Sequence, residues 1–227
     1  MAQSPLHPSV FINCPFDSEF QPFLRAILFT VCAMGCKPRS ALEESDSSTI
    51  RLEKIYRLIK FCRFSIHDLS RTELSEHNGL PRFNMPLELG IFLGIKQVTP
   101  RRSRRKTCLI FVKDSRNLSF ITDINGMDVQ GHGDSPEKSI ESIRNWLCND
   151  AKMDGQPASV IAQLFKKFES EFPEIVKRIG YQPNEPQYGD VLKIIRDWLK
   201  EVRFLVSAKS GTSASVKVRL INPDKST

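Results

Sequence analysis

The residues best equipped for chemistry in this 227-residue chain lie between Phe64 and Lys96. Asp68, Ser70 and Arg71 stand at the end of an apolar run, Phe64 to Leu69, that reads as a strand. Glu88 follows a polar loop and falls inside a second apolar segment, which opens at Asn84 and reads as a helix. It is the only charge between Asn84 and Ile95, and an isolated carboxylate among apolar neighbours is usually there for a partner or a reaction. Asn84 suits an N-cap, Pro86 suits a first helical turn, and Leu87, Ile91 and Gly94 fall on one face. This predicts Glu88 about one turn inside a helix N-terminus, where the helix dipole stabilises an ionised carboxylate. A charge with no role beyond that favourable position is the plainer alternative.

The segments before and after this stretch alternate between strand and helix patterns. Val10 to Asn13 reads as a strand ending at Cys14-Pro15-Phe16-Asp17, followed by a helix from Phe20 to about Ala33 with Gly35 as its stop. A brief strand from Pro38 to Leu42, expected at an edge because of its proline, runs into Glu43, Glu44, Ser45 and Asp46. Ser47 or Ser48 can cap a helix from Ile50 to Cys62, with Leu52, Ile55, Leu58 and Ile59 inward and Arg51 and Lys54 on the polar side. Beyond the Glu88 helix come strands at Thr107 to Val112 and Val129 to His132. A helix capped by Asp134 or Ser135 then runs to Asn149. The alternation predicts an α/β fold of about five strands, a parallel sheet with helices on both faces.

Ligands of such a sheet bind beyond the carboxyl ends of its strands. That edge collects Asn13, Cys14, Phe16 and Asp17 from the first strand, Glu44 and its acidic neighbours from the second, and Asp68, Ser70 and Arg71 from the third, with Glu88 and Asn84 from the next helix. Each has a bland alternative: Asp17 and Asp46 as turn formers, Asn13 as a strand-end closure, His67 as a satisfied core histidine, Arg51 as a solvated helix residue.

Residues 1–150 carry the alternating pattern, and residues 151–227 read as a helical appendage with a polar tail. Val160, Ile161, Leu164, Phe165 and Phe168 mark one amphipathic helix; Val191, Ile194, Ile195, Trp198 and Val202 mark another; Val216 to Ile221 is a candidate strand. Two such helices have too little surface for a core of their own, so their stripes are expected against the main domain, a second copy or a partner protein. The net charge of +7 owes much to Arg101, Arg102, Arg104, Arg105 and Lys106, a local cluster that would suit nucleic acid or a phosphate-rich ligand. The six cysteines show no zinc-ligand spacing, so no metal and no cofactor is expected. No apolar run approaches the roughly 18 residues of a membrane span, and MAQSPLHPSV lacks a signal-peptide pattern, so no membrane contact and a cytoplasmic location are expected.

The strings FINCPFD, ALEESD with a following arginine, IHDLSRTE and NMPLELG together resemble the nucleoside 2-deoxyribosyltransferase-like and TIR-like proteins of bacteria. The resemblance covers about Val10 to Asn149 and implies a flavodoxin-like doubly wound domain. It also implies a catalytic glutamate at Glu88, an acidic residue holding sugar hydroxyls at Asp68, and a first-strand loop beside the sugar at Cys14-Pro15-Phe16. Those proteins usually carry glycine where this chain has Cys14. The function expected from the resemblance is an N-glycosidase acting on NAD or a related nucleotide, as an effector of bacterial defence or signalling. Arg51, Arg71 or Arg82 would meet the diphosphate. The alternatives are a nucleotide-sensing module using the same edge without turnover, and a nucleic-acid-binding protein built on the Arg101 to Lys106 cluster.

Overall fold

A computed structural model describes residues 8–44, 46–71, 82–100, 106–114 and 121–202. Five parallel strands form one sheet: β1 (Ser9–Asn13), β2 (Lys37–Arg39), β3 (Phe64–Asp68), β4 (Thr107–Val112) and β5 (Gln130–Gly131), in the order β2-β1-β3-β4-β5. This is the flavodoxin-like doubly wound order. The chain steps outward from β1 to β2 and then returns past β1 to β3, which leaves a crevice above β1 and β3. The central strands are apolar on both faces because both are covered: Val10, Ile12, Phe64 and Ile66 enter one core, and Phe11 enters another across the sheet.

Helices α1 (Gln21–Ala33) and α4 (Pro136–Asn149) pack on one face. Helices α2 (Arg51–Phe61) and α3 (Asn84–Val98) pack on the other. Ser135 caps α4 by accepting the Lys138 N–H, as expected. The other expected caps do not form. Ile50 precedes α2 with no side-chain cap, Ser48 bonding to Asp46 instead, and Phe83 precedes α3. Asn84 is the exposed first residue of that helix. The buried face of α3 also differs from the expected one: Met85, Glu88, Leu89, Phe92 and Ile95 point inward while Leu87 is exposed. The segment is apolar nearly all round, so its periodicity selects no face, and packing of Phe92 and Ile95 with Phe11 and Ile59 decides it. Lys54, expected on the polar side of α2, is buried, and its ammonium donates to the carbonyls of Glu44 and Asp46, fastening the loop ahead of the helix.

Helices α5 (Ala158–Arg178) and α6 (Tyr188–Glu201) form a further layer outside α1 and α4. Their stripes join the core of the α1 side: Phe29 meets Phe165, Phe168 and Trp198 at ring-centroid separations of 5.4–5.7 Å. Arg25 of α1 donates two hydrogen bonds of 2.7 Å to Glu169 and lies over the Phe172 ring. No helix among the described residues is long and apolar enough to cross a membrane.

Candidate functional site

The crevice above β1 and β3 is built by the last residues of those strands and the first turns of α1 and α3. Asn13 closes β1. Its amide nitrogen lies 2.9 Å from His67 Nδ1 and donates at 2.9 Å to the carbonyl of Met85, so one buried side chain ties β1, β3 and the start of α3 together. His67 is fully buried, with its other ring nitrogen 2.6 Å from the Ser65 hydroxyl. Burial pulls its pKa down to about 3, so it is a neutral, satisfied core histidine and not a base.

Glu88 lies on the inner face of α3 with 6 % of its surface exposed. Its carboxyl makes no hydrogen bond among the described residues, yet its oxygens are not sealed as Asp68 Oδ2 is. Burial raises its pKa from 4.5 to about 7, and the Arg51 charge at the start of α2 opposes that rise. The expected dipole stabilisation therefore loses to desolvation. Glu88 is the fifth residue of α3, beyond the unpaired N–H groups of the first turn, and no acidic residue stands in that turn.

Cys14 is buried beneath the crevice, and its thiol is pushed well above the ordinary value by burial and by the charges of Asp68, Glu88 and Asp17. A thiol so placed stays protonated and is no nucleophile. Its surroundings locate it among the three carboxylates of the site. Asp68 is fully buried: one oxygen accepts from the Ser70 N–H at 2.9 Å and the Ser70 hydroxyl at 2.5 Å, and the other faces His132 Nε2 at 3.4 Å. His132 Nδ1 accepts the Asp134 N–H at 3.0 Å, so in the neutral ring the proton sits on Nε2, toward Asp68. The expected sugar-binding carboxylate is thus turned inward here.

Asp17 caps the short 3-10 helix Ser18–Phe20 ahead of α1 and receives Arg82 at 2.5 Å, with Arg71 at 3.9 Å. Burial works against its charge, but the Arg82 and Phe20 hydrogen bonds and Arg71 together hold its carboxyl below the usual range. Arg71 also pairs with Glu19 at 2.8 Å. Arg71 and Arg82 therefore spend their charge on the first loop. Phe16 is partly buried against the core on the α1 side, and its carbonyl accepts from Gln21. Glu44 pairs with Arg57, and Glu43 completes a capping box with Ser40 while bound to Arg39 at 2.6 Å. Asp46 bonds Ser48 and Thr49 as a turn former. Arg51 is exposed and makes no ion pair among the described residues.

The structure thus brings Asn13, Cys14, Asp17, Asp68 and Glu88 together, with Ser70 bonded to Asp68 and Arg71 beside Asp17, while Glu44 pairs with Arg57 and Asn84 is exposed. Sequence reasoning did not single out His132 or Tyr188. His132 is marked only by the turn-forming Gly131-His132-Gly133-Asp134, and its partner lies across β4, beyond any local pattern. Tyr188 opens α6 with a buried hydroxyl that has no hydrogen-bond partner among the described residues, and burial, then Glu43, Cys14 and Cys32, raise its pKa well above the ordinary value. Within the basic cluster, Lys106 is buried, its ammonium bonded to the carbonyls of Ile59, Lys60 and Cys62 at the end of α2; Arg101 to Arg105 lie outside the described residues. No group of His, Cys, Asp and Glu able to hold a metal ion occurs among the described residues. No protein-family model matches the chain, and no curated protein matches it.

Proposed function

We propose that this protein is an N-glycosidase that cleaves the base–sugar bond of NAD or a related nucleotide, in the manner of the deoxyribosyltransferase-like and TIR-like proteins its motifs resemble. The observation that carries the reading is Glu88: a mostly buried carboxyl without a hydrogen-bond partner among the described residues, at the crevice where the strand order reverses. A fold bears the cost of such a group where it serves a ligand. In the reaction the C1′–N bond breaks with its electron pair going to the base, and positive charge develops on the sugar. Ionised Glu88 stabilises that charge more than the ground state, and water then adds to C1′ with loss of a proton. In NAD the base leaves as neutral nicotinamide, and the cationic nicotinamide ring itself favours the ionised form of Glu88 on binding.

Arg51 is the arginine suited to the diphosphate, because Arg71 and Arg82 are already paired. A role as an effector of bacterial defence or signalling, in the cytoplasm where NAD is abundant, goes with this reading. The test is incubation of the purified protein with NAD and separation of the products. Free nicotinamide with ADP-ribose, lost in Glu88→Gln, supports the proposal. Saturable NAD binding with no product replaces it with a sensing module, and neither binding nor release removes nucleotide function from this site.

A further inference from the structure

We propose that the outer face of α2 and α3 is an interface between two copies of this chain, which pack on each other antiparallel about a two-fold axis. Leu52 and Tyr56 of α2, with Phe83, Leu87 and Val98 on or beside α3, have 49–79 % of their surfaces exposed. The two helices are neighbours, since Ile55, Leu58 and Ile59 share one core with Phe92 and Ile95. Lys54 and Arg57 reach from α2 to Glu44 and Asp46 in the loop after β2, so Leu52 and Tyr56, on the opposite flank of that helix, face the groove toward α3. Between Phe83 and Ile95 the exposed side of α3 carries no charge, because Glu88 is turned inward.

The size of the face calls for a partner. At roughly 200 Å2 for a residue of this size, the five leave on the order of 600 Å2 of mostly apolar surface in water. The largest apolar patch of a typical monomer is about 300–600 Å2, and a standard interface buries roughly 800 Å2 per partner, of which the polar rim supplies the remainder.

The chemistry of the face selects a second copy as that partner, because a two-fold contact requires a surface that complements itself. Glu53, Tyr56 and Lys60 recur at helical spacing along the exposed side of α2, and neither Glu53 nor Lys60 makes an ion pair among the described residues. Turned end for end, α2 sets each Glu53 against the Lys60 of the other copy, with the two Tyr56 side chains near the axis. On α3, Gly90 and Gly94 are both exposed, and a Cβ on either would meet nothing within 4 Å. The same reversal lays Gly90 against the other copy's Gly94, where the lack of side chains lets the two helices approach within the usual spacing of about 8–10 Å or closer. One axis serves both pairs, because Ile55 to Ile59 of α2 lie level with Phe92 and Ile95 of α3.

Sedimentation equilibrium of the full chain tests this. The wild type should form a dimer that dissociates in the micromolar range. Gly94→Leu fills space that is open in the single chain but needed by the second copy. It should weaken the dimer about a hundredfold or more, while the melting temperature at high dilution stays the same or rises. Glu53→Lys and Lys60→Glu should each weaken self-association about tenfold or more, since each sets like charges together twice. Mixed in equal amounts, these two variants should form a heterodimer as tight as the wild type, because every pair of positions 53 and 60 is then of opposite charge. A wild-type chain that stays monomeric up to about 100 μM leaves the face to a different protein or to another part of this chain and overturns the proposal. A dimer that survives Gly94→Leu, or a mixture no tighter than its components, overturns it as well.

Discussion

At the scale of single residues, the proposed role of Glu88 sets stability against function. Its carboxyl is held at about 7 in the fold against an ordinary 4.5. Between those values the folded state keeps a proton that the unfolded chain has released. The group's contribution to stability is therefore fully present below about 4.5 and is lost as pH rises through 7, a difference of roughly 3 kcal/mol by pH 8. Glu88→Gln should match the wild type near pH 4.5 and melt several degrees higher at pH 8, as calorimetry would measure. Under the proposed N-glycosidase reading, function runs the other way, because only the ionised carboxylate stabilises a cationic sugar. Wild-type kcat/KM for NAD should rise with pH through about 7, and the Gln variant should lose about a hundredfold or more at every pH. Arg51→Ala removes the charge that opposes protonation, so the midpoint of the wild-type rise should move upward in that variant. A profile that ignores both substitutions would disconnect Glu88 from the reaction.

At the scale of elements, the crevice depends on two buried polar ties. Asn13 holds the ends of β1 and β3 and the start of α3, and Lys106 closes the carbonyl end of α2 from the neighbouring strand. Replacing Asn13 with Ala should cost about 1–3 kcal/mol in urea unfolding, because a ring nitrogen of His67 and the Met85 carbonyl lose their partner. It should also lower kcat, since α3 is no longer fastened where it presents Glu88. The strands and helices themselves were legible from alternation, proline placement and apolar runs, and the edge on which the polar clusters gather follows from that alternation alone. What the site residues do there was less legible. Glu88 was marked by its isolation, but the inward turn of Asp68, which puts one of its oxygens 3.4 Å from His132 at the end of β5, joins residues that no local pattern links. Arg71 and Arg82 read as phosphate ligands until Asp17 and Glu19 are seen beside them, and Lys54 reads as solvated until the loop carbonyls close over it. These contacts are long-range, and periodicity carries no information about them.

At the scale of the whole molecule, the boundary near residue 150 marks a change of pattern and not a gap in packing. Phe168 is fully buried against Phe29, Phe172 and Trp198, so residues from α1, α5 and α6 form one aromatic group. Tyr188 carries the same continuity from α6 into the core that also holds Cys14. A layer docked only through a polar surface would melt separately and leave the sheet domain intact. A layer that completes the core of α1 cannot do so. Phe168→Ala should therefore destabilise the entire chain by about 3–5 kcal/mol, and near-ultraviolet and far-ultraviolet circular dichroism should report a single shared transition. An early transition that removes only the signal of α5 and α6, with Glu88-dependent turnover persisting above it, would show that the α/β domain carries its core alone.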